Sequence, residues 1–474
     1  MLKSLAIITI ASVTCLCTFN FKSKEKTESL VLSRKSASVE ENYKNYCAGC
    51  HGVKMDMFVD RKWKYGNKPE ELFKSIKEGY VDDGMPAFKE TFNDQEIKDL
   101  ATYMIKGIEN VAKYTASSEK PKSDIFETEK VKIKLEKVFD QVKVPWGIAF
   151  LSASQYLVSD RSGELYLVKD NKNYEKVLGV PAVRNAGQGG LMDILIDPDF
   201  NKNQIIYLSY SKPHPTDSKL QTTAILKGQL KGNELINTKD IFVAEPYSTT
   251  RHHYGSRMDF GKDGLLYFSV GERGNEKENP QSLKNNDLGK VHRITKDGDI
   301  PKDNPFYNQQ DKEQSVYSYG HRNPQGLAFN PFTNELWSHE HGPRGGDEIN
   351  IHKKGANYGW PVVSYGINYN GKIITNLTTK PGIEEPMHYW IPSIAPSGMA
   401  FVNSKVYKGW EGDLMVGSLR FQYLNRCEIK NGKVVNEELL FKNIGRVREV
   451  RMSPDGYLYI GVEGEGVYKL IPQK

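Results

Sequence analysis

The chain has 474 residues and a formal net charge of +6, with 26% charged and 38% hydrophobic residues. This length allows two or three domains, and the composition is that of a soluble globular protein. The small positive excess gives no indication of a nucleic-acid-binding protein.

The start of the chain has the pattern of an export signal. Lys3 precedes an apolar run over residues 5–16, which is too short to span a bilayer. We therefore predict a signal peptide over residues 1–22 and export to the bacterial periplasm. Cys15 and Cys17 are candidates for lipidation, but neither lies in a good lipoprotein cleavage box, so a lipid anchor stays open. No later segment has enough consecutive apolar residues for a transmembrane helix.

Residues 47–51 have the spacing at which two cysteines bond covalently to haem and the following histidine binds the iron. We predict that Cys47 and Cys50 attach haem c and that His51 is an axial ligand. A zinc half-site or a dithiol redox pair is the alternative. Zinc would need a second pair of ligands at similar spacing, and the other cysteines supply none.

A low-spin haem needs a sixth ligand, and Met85 lies between Gly84 and Pro86, in a turn that cannot be the interior of a helix. We predict Met85 as this ligand. Met55 and Met57 are the other candidates, but they follow the haem-binding histidine too closely to reach the opposite haem face easily. A thioether ligand raises the reduction potential, which suits an electron acceptor.

Short helices are expected around these ligands. Val39 and Tyr43 belong to an apolar stripe that leads into the haem cysteines, and Asn93 caps a last amphipathic helix. Residues 38–108 resemble a class I cytochrome c. We therefore place a small all-α cytochrome c domain at residues 38–110.

A segment rich in Lys, Ser and Glu comes next, and it predicts a linker over residues 111–130. The remainder, residues 131–474, repeats one pattern of an apolar strand, a turn containing Pro, Asp, Gly or Asn, and a second alternating strand. The first strands of the six copies lie at residues 147–150, 194–196, 258–260, 327–329, 399–401 and 451–452.

A repeat of about 50 to 70 residues without helical periodicity predicts four-stranded blades closed into a β-propeller. Six copies predict six blades, and an early strand at residues 131–135 is expected to pair with the last blade and close the ring. A pair of β-sandwiches is the alternative, but sandwiches do not repeat at a fixed blade-like period. The predicted fold class is an all-β six-bladed propeller with a small all-α domain at the N-terminus.

Three groups of polar residues occupy the same place in their repeats, directly before the first strand. They are His252 with His253, residues 320–326, and Arg446 with Arg448. Because equivalent positions of successive blades meet around the central axis, we expect these groups to surround one pocket. Several guanidinium groups facing inward would suit a planar anion with several carboxylates.

Over residues 135–472 the chain resembles the soluble quinoprotein glucose and sorbosone dehydrogenases, and its first blade opens as in the aldose sugar dehydrogenase branch. The motifs that carry the resemblance are Val144 to Gly147, Gln188 to Leu191, Tyr319 to Gly326, His341 to Pro343, Asp347 with Glu348, and Asn357 to Pro361. The resemblance implies an oxidoreductase that uses pyrroloquinoline quinone (PQQ) and calcium to oxidise an aldose at its anomeric carbon to the lactone.

The resemblance also implies roles for individual residues. His253 matches the catalytic base that removes the proton of the anomeric hydroxyl, and Arg322 matches the residue that stabilises charge developing on the quinone oxygen. Arg420 replaces the lysine of the best-known member but keeps the charge. The residues expected around PQQ and the substrate are Gln188, Asn323, Gln325, Arg420, Arg446 and Arg448.

Calcium is a hard ion that takes oxygen ligands, and the resemblance implies that the backbone carbonyls of Gly342 and Pro343 bind it, with Asp347 assisting through water. His252 stands where the glucose-specific enzyme has an aspartate that contacts the sugar, so glucose specificity is not implied and the role of His252 stays open. Cys427 is predicted to be a buried strand residue without a role in the chemistry.

The two domains together predict a periplasmic quinohaemoprotein. It would oxidise aldoses and pass electrons one at a time to its own haem, and from there to a soluble cytochrome or a component of the respiratory chain. Two alternatives stay open. The propeller could bind a carbohydrate or protein without redox chemistry, or the enzyme could act on a non-sugar alcohol or aldehyde.

Overall fold

A computed structural model describes most of the chain, namely residues 38–47, 65–80, 85–111, 119–369 and 373–473. The predicted signal peptide, Cys50, His51, Met55 and Met57 lie outside these ranges. Within the ranges that are described, no helix combines the length and the apolar character needed to cross a membrane.

The N-terminal part contains the helices α1 (Val39–Tyr46), α2 (Pro69–Glu78) and α3 (Asp94–Val111). Asn93 Oδ1 accepts the backbone N–H groups of residues 95 and 96 at 2.9 and 3.0 Å, which is the cap that the sequence predicts. The three helices share one apolar core, whose members include Tyr43, Cys47, Leu72, Ile97, Leu100 and Met104.

Met85 lies at the edge of this core. Its backbone pairs with Tyr80, and its half-buried side chain packs against the cluster that contains Cys47. The thioether and one of the two cysteines predicted to bind haem therefore contact the same small core. Ligation by Met85 stays a prediction, because His51 lies outside the described residues.

Over the described residues from 119 onward, the chain is built from strands, with one short helix, α4 (Phe200–Asn203). The first thirteen strands are β1 (Ile125–Phe126), β2 (Lys132–Phe139), β3 (Pro145–Phe150), β4 (Gln155–Asp160), β5 (Leu165–Lys169), β6 (Asn173–Lys176), β7 (Leu191–Ile196), β8 (Ile205–Pro213), β9 (Gln221–Lys231), β10 (Glu234–Val243), β11 (Met258–Phe260), β12 (Leu266–Val270) and β13 (Lys290–Ile294). The others are β14 (Val316–Tyr319), β15 (Pro324–Phe329), β16 (Leu336–Glu340), β17 (Asp347–Ile351), β18 (His388–Trp390), β19 (Pro396–Phe401), β20 (Leu414–Ser418), β21 (Tyr423–Lys430), β22 (Lys433–Leu440), β23 (Val447–Met452), β24 (Leu458–Val462) and β25 (Gly466–Gln473).

These strands form six antiparallel sheets. Blades 1 to 5 are β3–β6, β7–β10, β11–β14, β15–β18 and β19–β22, and blade 6 has the order β1-β2-β25-β24-β23. The innermost strands contact one another in ring order, and the contact between β23 and β3 closes the ring. The predicted six-bladed propeller is confirmed, and its inner strands are those that the repeat identified.

The early strand β2 pairs with β25 as predicted, with Leu135 opposite Leu470. Blade 6 is thus built from both ends of the propeller sequence, which protects its edges. The structure differs from the prediction in one detail. Strand β1 lies inside the predicted linker and adds a fifth strand to blade 6, because Ile125 and Phe126 pair with β2.

Close packing near the axis requires small residues on the inner strands. A Cβ atom on Gly398 of β19 would lie 2.4 Å from the backbone nitrogen of Val450 in β23. Glycine is therefore needed where these two strands approach each other.

The propeller has two faces, which we call the upper and the lower face. All six inner strands begin at the upper face and run to the lower face. A cavity of about 610 Å³ opens at the lower face, where Phe150, Ile196 and Met452 are among its lining residues. None of the predicted site residues lines it.

An ionic cluster fills the axis between the two faces. Asp193 accepts hydrogen bonds from Arg257 at 3.2 Å and from Arg451 at 3.1 Å, and Glu449 contacts both arginines. Asp193, Arg257 and Glu449 are fully buried. Buried charges persist when they are paired in this way, so the cluster separates the upper site from the lower cavity.

Candidate active site

The predicted site residues of blades 2, 3 and 4 come together at the upper face. The backbone N–H of His253 donates to Gln188 Oε1 at 2.8 Å, so the loop before β7 holds the loop before β11. The N–H of Gly255 donates to Asn323 Oδ1 at 3.1 Å, which connects that loop to the one before β15. Three chain segments that are far apart in sequence thus form one wall.

The same network continues into blade 6. Arg448 donates to Gln325 Oε1 at 3.3 Å, and its guanidinium also binds Glu463. Arg446 donates to the other oxygen of Glu463 at 2.6 Å and to the carbonyl of Leu419 at 3.2 Å. Arg420, the next residue, has its guanidinium 5.0 Å from the ring of Phe421. The expected cofactor-binding residues therefore occupy one connected region.

His253 is paired with a carboxylate that the sequence did not indicate. Its Nδ1 contacts Glu272 Oε1, and both side chains are buried. His253 itself has a positive φ of 57°, and a Cβ on Gly271 would lie 2.2 Å from its carbonyl oxygen. The imidazole is thus fixed by backbone packing as well as by the carboxylate.

Electrostatics around this pair suit a neutral imidazole. Burial lowers the pKa of His253 well below its usual value, and the charge of Arg322 lowers it further. Burial also raises the pKa of Glu272 to about 7, although Arg322 and His252 oppose that shift. When Glu272 is ionised it accepts Nδ1–H, so Nε2 carries the free lone pair that a general base needs.

Glu272 follows the buried strand β12 and reaches the upper face just beyond its end. A carboxylate two residues after a fully buried strand is the signal that could have identified it. The pairing itself depends on the position of β12 beside β11, which the sequence does not show.

Replacing Glu272 with glutamine should change the pH dependence of sugar oxidation. In the native chain, Glu272 becomes protonated as the pH falls through about 7, and its O–H then donates a hydrogen bond to Nδ1. The proton of the neutral imidazole must then lie on Nε2, which loses the lone pair that a base needs. We expect an acid limb near that pH in kcat/KM, and we expect this limb to disappear in Glu272→Gln together with a fall in kcat. The control is Glu278→Gln, which changes an exposed carboxylate and should keep the native pH profile of kcat/KM. An unchanged profile in Glu272→Gln would show that the carboxylate does not control the imidazole.

Arg322 connects the base to the loop after β16. Its guanidinium donates to the carbonyl of His341 at 3.2 Å and to that of Gly342 at 2.7 Å, and it lies 5.3 Å from the ring of Trp360. Its backbone N–H is held by Glu340 Oε2 at 2.6 Å. The cation is thus fixed in place before any ligand arrives, which is what stabilisation of developing charge requires.

The predicted calcium loop is held by Asp347. Its two carboxylate oxygens accept the N–H groups of Gly342 and Ala395, each at 2.8 Å. Burial raises the pKa of Asp347 to about 7. The Asp347 carboxylate therefore fixes the loop that carries the carbonyls of Gly342 and Pro343. This agrees with the predicted indirect role of Asp347 toward a bound cation.

Two further carboxylates lie beside this loop, and the sequence assigned neither of them a role. Glu340 and Glu348 line the same small cavity as Gly342 and Pro343. The pKa of Glu348 is raised well above its usual value by burial and by the neighbouring charge of Glu340. Buried carboxylates that repel each other fit a bound divalent cation, which would relieve the repulsion.

The donors beside this loop come mainly from the backbone. In the described part of the chain, no three His, Cys, Asp or Glu side chains are arranged to hold a metal ion. A cation at this place would depend on backbone carbonyls together with carboxylate, and calcium accepts such an oxygen donor set. The residues present therefore fit the predicted ion.

The pocket also has features that fit an anionic quinone. Asn323 Nδ2 is buried and has no hydrogen-bond partner among the described residues, so it is available to a ligand carbonyl. Arg322, Arg446 and Arg448 bring positive charge to the same region, and Glu463 neutralises only part of it. A planar anion with several carboxylates matches these donors.

The other residues that the sequence singled out have different environments. His252 is exposed, and its ring lies edge-on to that of His253 at 4.5 Å. Tyr389 is exposed and stacks on Tyr365, with 4.0 Å between ring centroids. Trp390 is buried and donates to Glu437 of β22 at 2.6 Å, so it has a structural role between blades 4 and 5. Cys427 is buried in β21, as expected.

Comparison with known proteins supports this description. Residues 142–470 match the Glucose / Sorbosone dehydrogenase family, and residues 35–104 match the family of cytochrome c oxidase, cbb3-type, subunit III. The aldose sugar dehydrogenase YliI of Escherichia coli is 39% identical over 335 residues, which are 69% of this chain and 89% of that protein.

Solved structures agree with the sequence comparison. The apo form of the soluble aldose sugar dehydrogenase of Escherichia coli aligns with a TM-score of 0.68 and 37% identity, over 72% of this chain and all of that one. The PQQ-bound aldose sugar dehydrogenase of Streptomyces coelicolor aligns with a TM-score of 0.60 and 27% identity, over 73% of this chain and 100% of that one.

The propeller and the buried imidazole–carboxylate pair at its upper face define a propeller oxidoreductase joined to a small helical domain of the cytochrome c type. The chain belongs to the glucose/sorbosone dehydrogenase family. It is a sugar dehydrogenase, and both parts of the predicted resemblance are confirmed.

Proposed function

We infer that the protein is a periplasmic quinohaemoprotein that oxidises aldoses at the anomeric carbon to lactones. It would use PQQ and calcium and would pass electrons to its own haem c. The observation that carries this proposal is the convergence of His253, Glu272, Arg322 and Asn323 at the upper face, although they come from separate parts of the chain. The motif at residues 47–51 and the cytochrome-type family match support the haem.

The proposed chemistry begins at the imidazole of His253. Its Nε2 removes the proton of the anomeric hydroxyl, while Glu272 keeps the proton on Nδ1 and so stabilises the charged ring. Gln188 fixes the backbone of His253, which sets the approach of the ring toward the sugar. PQQ, when bound, would supply the acceptor for the hydride and for two electrons.

Arg322 supplies the positive charge close to the reacting groups. Asn323 Nδ2, Arg420, Arg446 and Arg448 would hold the carbonyl and carboxylate groups of PQQ. Gly342 and Pro343 would bind calcium through their carbonyls, with the carboxyl group of Glu348 beside the same small cavity. Calcium, if bound by these residues, would polarise the group that receives the hydride.

Export is proposed on two grounds. The first residues have the pattern of a signal peptide, and covalent haem c is attached outside the cytoplasm in bacteria. An external one-electron acceptor, such as a soluble cytochrome or a respiratory-chain component, would then reoxidise the haem.

The proposal is tested by adding PQQ and calcium to the full chain with its haem in place and then supplying a panel of mono- and disaccharides. We expect absorption from bound cofactor and reduction of the haem band by aldoses. A binding propeller without redox chemistry would show neither change. Reduction by simple alcohols or aldehydes, but not by sugars, would assign a different substrate class.

A further inference from the structure

The linker enters the propeller at the face that carries the candidate active site. Lys120 binds Glu465, which also contacts Lys137 of β2 at 3.5 Å. Strand β1 then runs antiparallel to β2, with Ile125 opposite Lys134. Since β2 ends at the upper face, the chain arrives from the upper face and runs down the outside of blade 6.

This entry point is close to the predicted cofactor-binding arginines. Glu465 belongs to the turn between β24 and β25, and the same turn contains Glu463, which binds Arg446 and Arg448. Two residues span at most about 7 Å of extended chain. The N–H of Gly464 in this turn donates to the carbonyl of Lys143 at 2.7 Å, which connects the turn to the start of blade 1.

An electron acceptor can approach this pocket only from the upper face in the described part of the protein. The ionic cluster of buried Asp193, Arg257 and Glu449 with the partly exposed Arg451 fills the axis below the pocket. The lower cavity is on the other side of that cluster. The haem domain is therefore tethered at the face where an acceptor must bind.

The tether is also short. Helix α3 ends at Val111, and nine peptide units connect it to Lys120, which is at most about 30 Å of extended chain. A domain of about 70 residues has a radius of gyration near 11 Å, so it cannot leave the neighbourhood of the upper face. A tether of this length gives an effective concentration of order mM.

Charge favours contact between the two parts. Residues 38–111 contain more Asp and Glu than Lys and Arg, and the two haem propionates would add negative charge, whereas the whole chain has a net charge of +6. The upper face near the tether carries exposed basic side chains, among them Lys143 and Lys442. Opposite charges on two tethered surfaces favour a defined encounter.

We propose that the haem domain docks in cis on the sector of the upper face formed by Lys143, residues 441–446 and residues 463–465. The inference rests on the proposed function. Oxidation of one aldose to its lactone releases two electrons and two protons, and each reduction of haem from Fe(III) to Fe(II) takes one electron. Two reductions, with reoxidation of the haem by the external one-electron acceptor between them, complete one turnover, and the protons go to solvent.

The first test is stopped-flow mixing of the full chain, loaded with haem, PQQ and calcium, with excess aldose and no other acceptor. The rate constant of haem reduction should not depend on protein concentration. Lengthening the connection by about 30 Gly and Ser residues between positions 117 and 118 should slow docking-limited reduction roughly tenfold. The same insertion at the exposed Asn431–Gly432 turn should have no effect. A rate proportional to protein concentration, or one insensitive to linker length, would overturn the proposal.

The second test addresses the sector. The double charge reversal Lys143→Glu with Lys442→Glu should slow haem reduction several-fold at low salt. The matched control is Lys405→Glu with Lys408→Glu, which makes the same change of charge in the connection between β19 and β20 at the lower face. If the double variant behaves like the control, the assigned sector is wrong. A small redox dye measures sugar oxidation separately in every variant. Loss of dye reduction in the native chain would refute the proposed function, whereas dye reduction without haem reduction would refute only the docking.

Discussion

Replacement of His253 by asparagine should lower kcat for sugar oxidation by about 10² to 10⁴, the range that a positioned general base contributes. Asparagine has no basic nitrogen, so the anomeric proton would have to leave to water. It tolerates the left-handed backbone at this position, where φ is 57°, better than most residues do. The fold should therefore survive, and the loss should fall on the chemical step.

The measurement is the steady-state rate with a redox dye after saturation with PQQ and calcium. The matched control is His252→Asn. It removes the adjacent exposed ring, which lies 4.5 Å from that of His253, and leaves the ring that is paired with Glu272 in place. We expect His252→Asn to change KM more than kcat. If His253→Asn kept kcat within tenfold of the native value, another group would have to be the base.

The contrast between these two histidines shows what sequence reasoning could and could not provide. Both lie at the same place in their repeat, directly before β11. The resemblance distinguished them, but the physical difference is that one ring is buried against Glu272 and the other is exposed. That difference arises because β12 lies beside β11 and brings its terminal carboxylate to the upper face.

The propeller could be predicted because its signals are local. Each blade repeats an apolar strand, a turn such as Pro454-Asp455-Gly456 and a second strand, and alternation of side chains needs no knowledge of distant partners. The pairing of β2 with β25 could also be predicted. The early strand has no neighbouring strand of its own, and the last blade lacks an outer strand, so pairing the two protects both edges.

The carboxylates of the site could not be predicted in the same way. Glu272, Glu340 and Glu463 act by contacting residues from other segments, and their roles depend on which atoms their oxygens face. The role of Trp390 also depends on a partner from another segment, which the sequence does not show. An aromatic ring near a pocket can stack on a ligand, but the indole of Trp390 donates to Glu437 of β22 and so joins blade 4 to blade 5.

Replacement of Arg322 by glutamine should lower kcat by about 10² to 10³, which is typical of removing a fixed donor that stabilises developing charge. Glutamine keeps a donor that can reach a carbonyl but has no charge. Arg322→Lys keeps the charge and loses the planar fork, so its activity should lie between those of the native chain and the glutamine variant. Circular dichroism and thermal unfolding identify any variant that fails to fold.

Two explanations of such a loss differ in their dependence on calcium. Because the guanidinium donates to the carbonyl of Gly342, the substitution could act by loosening the loop predicted to bind calcium. In that case an excess of calcium should restore kcat. If the charge itself stabilises the reaction, kcat should stay low at saturating calcium and PQQ, while the titration of each is nearly unchanged. We expect the second result, since the Asp347 carboxylate also holds Gly342 and would keep the loop in place.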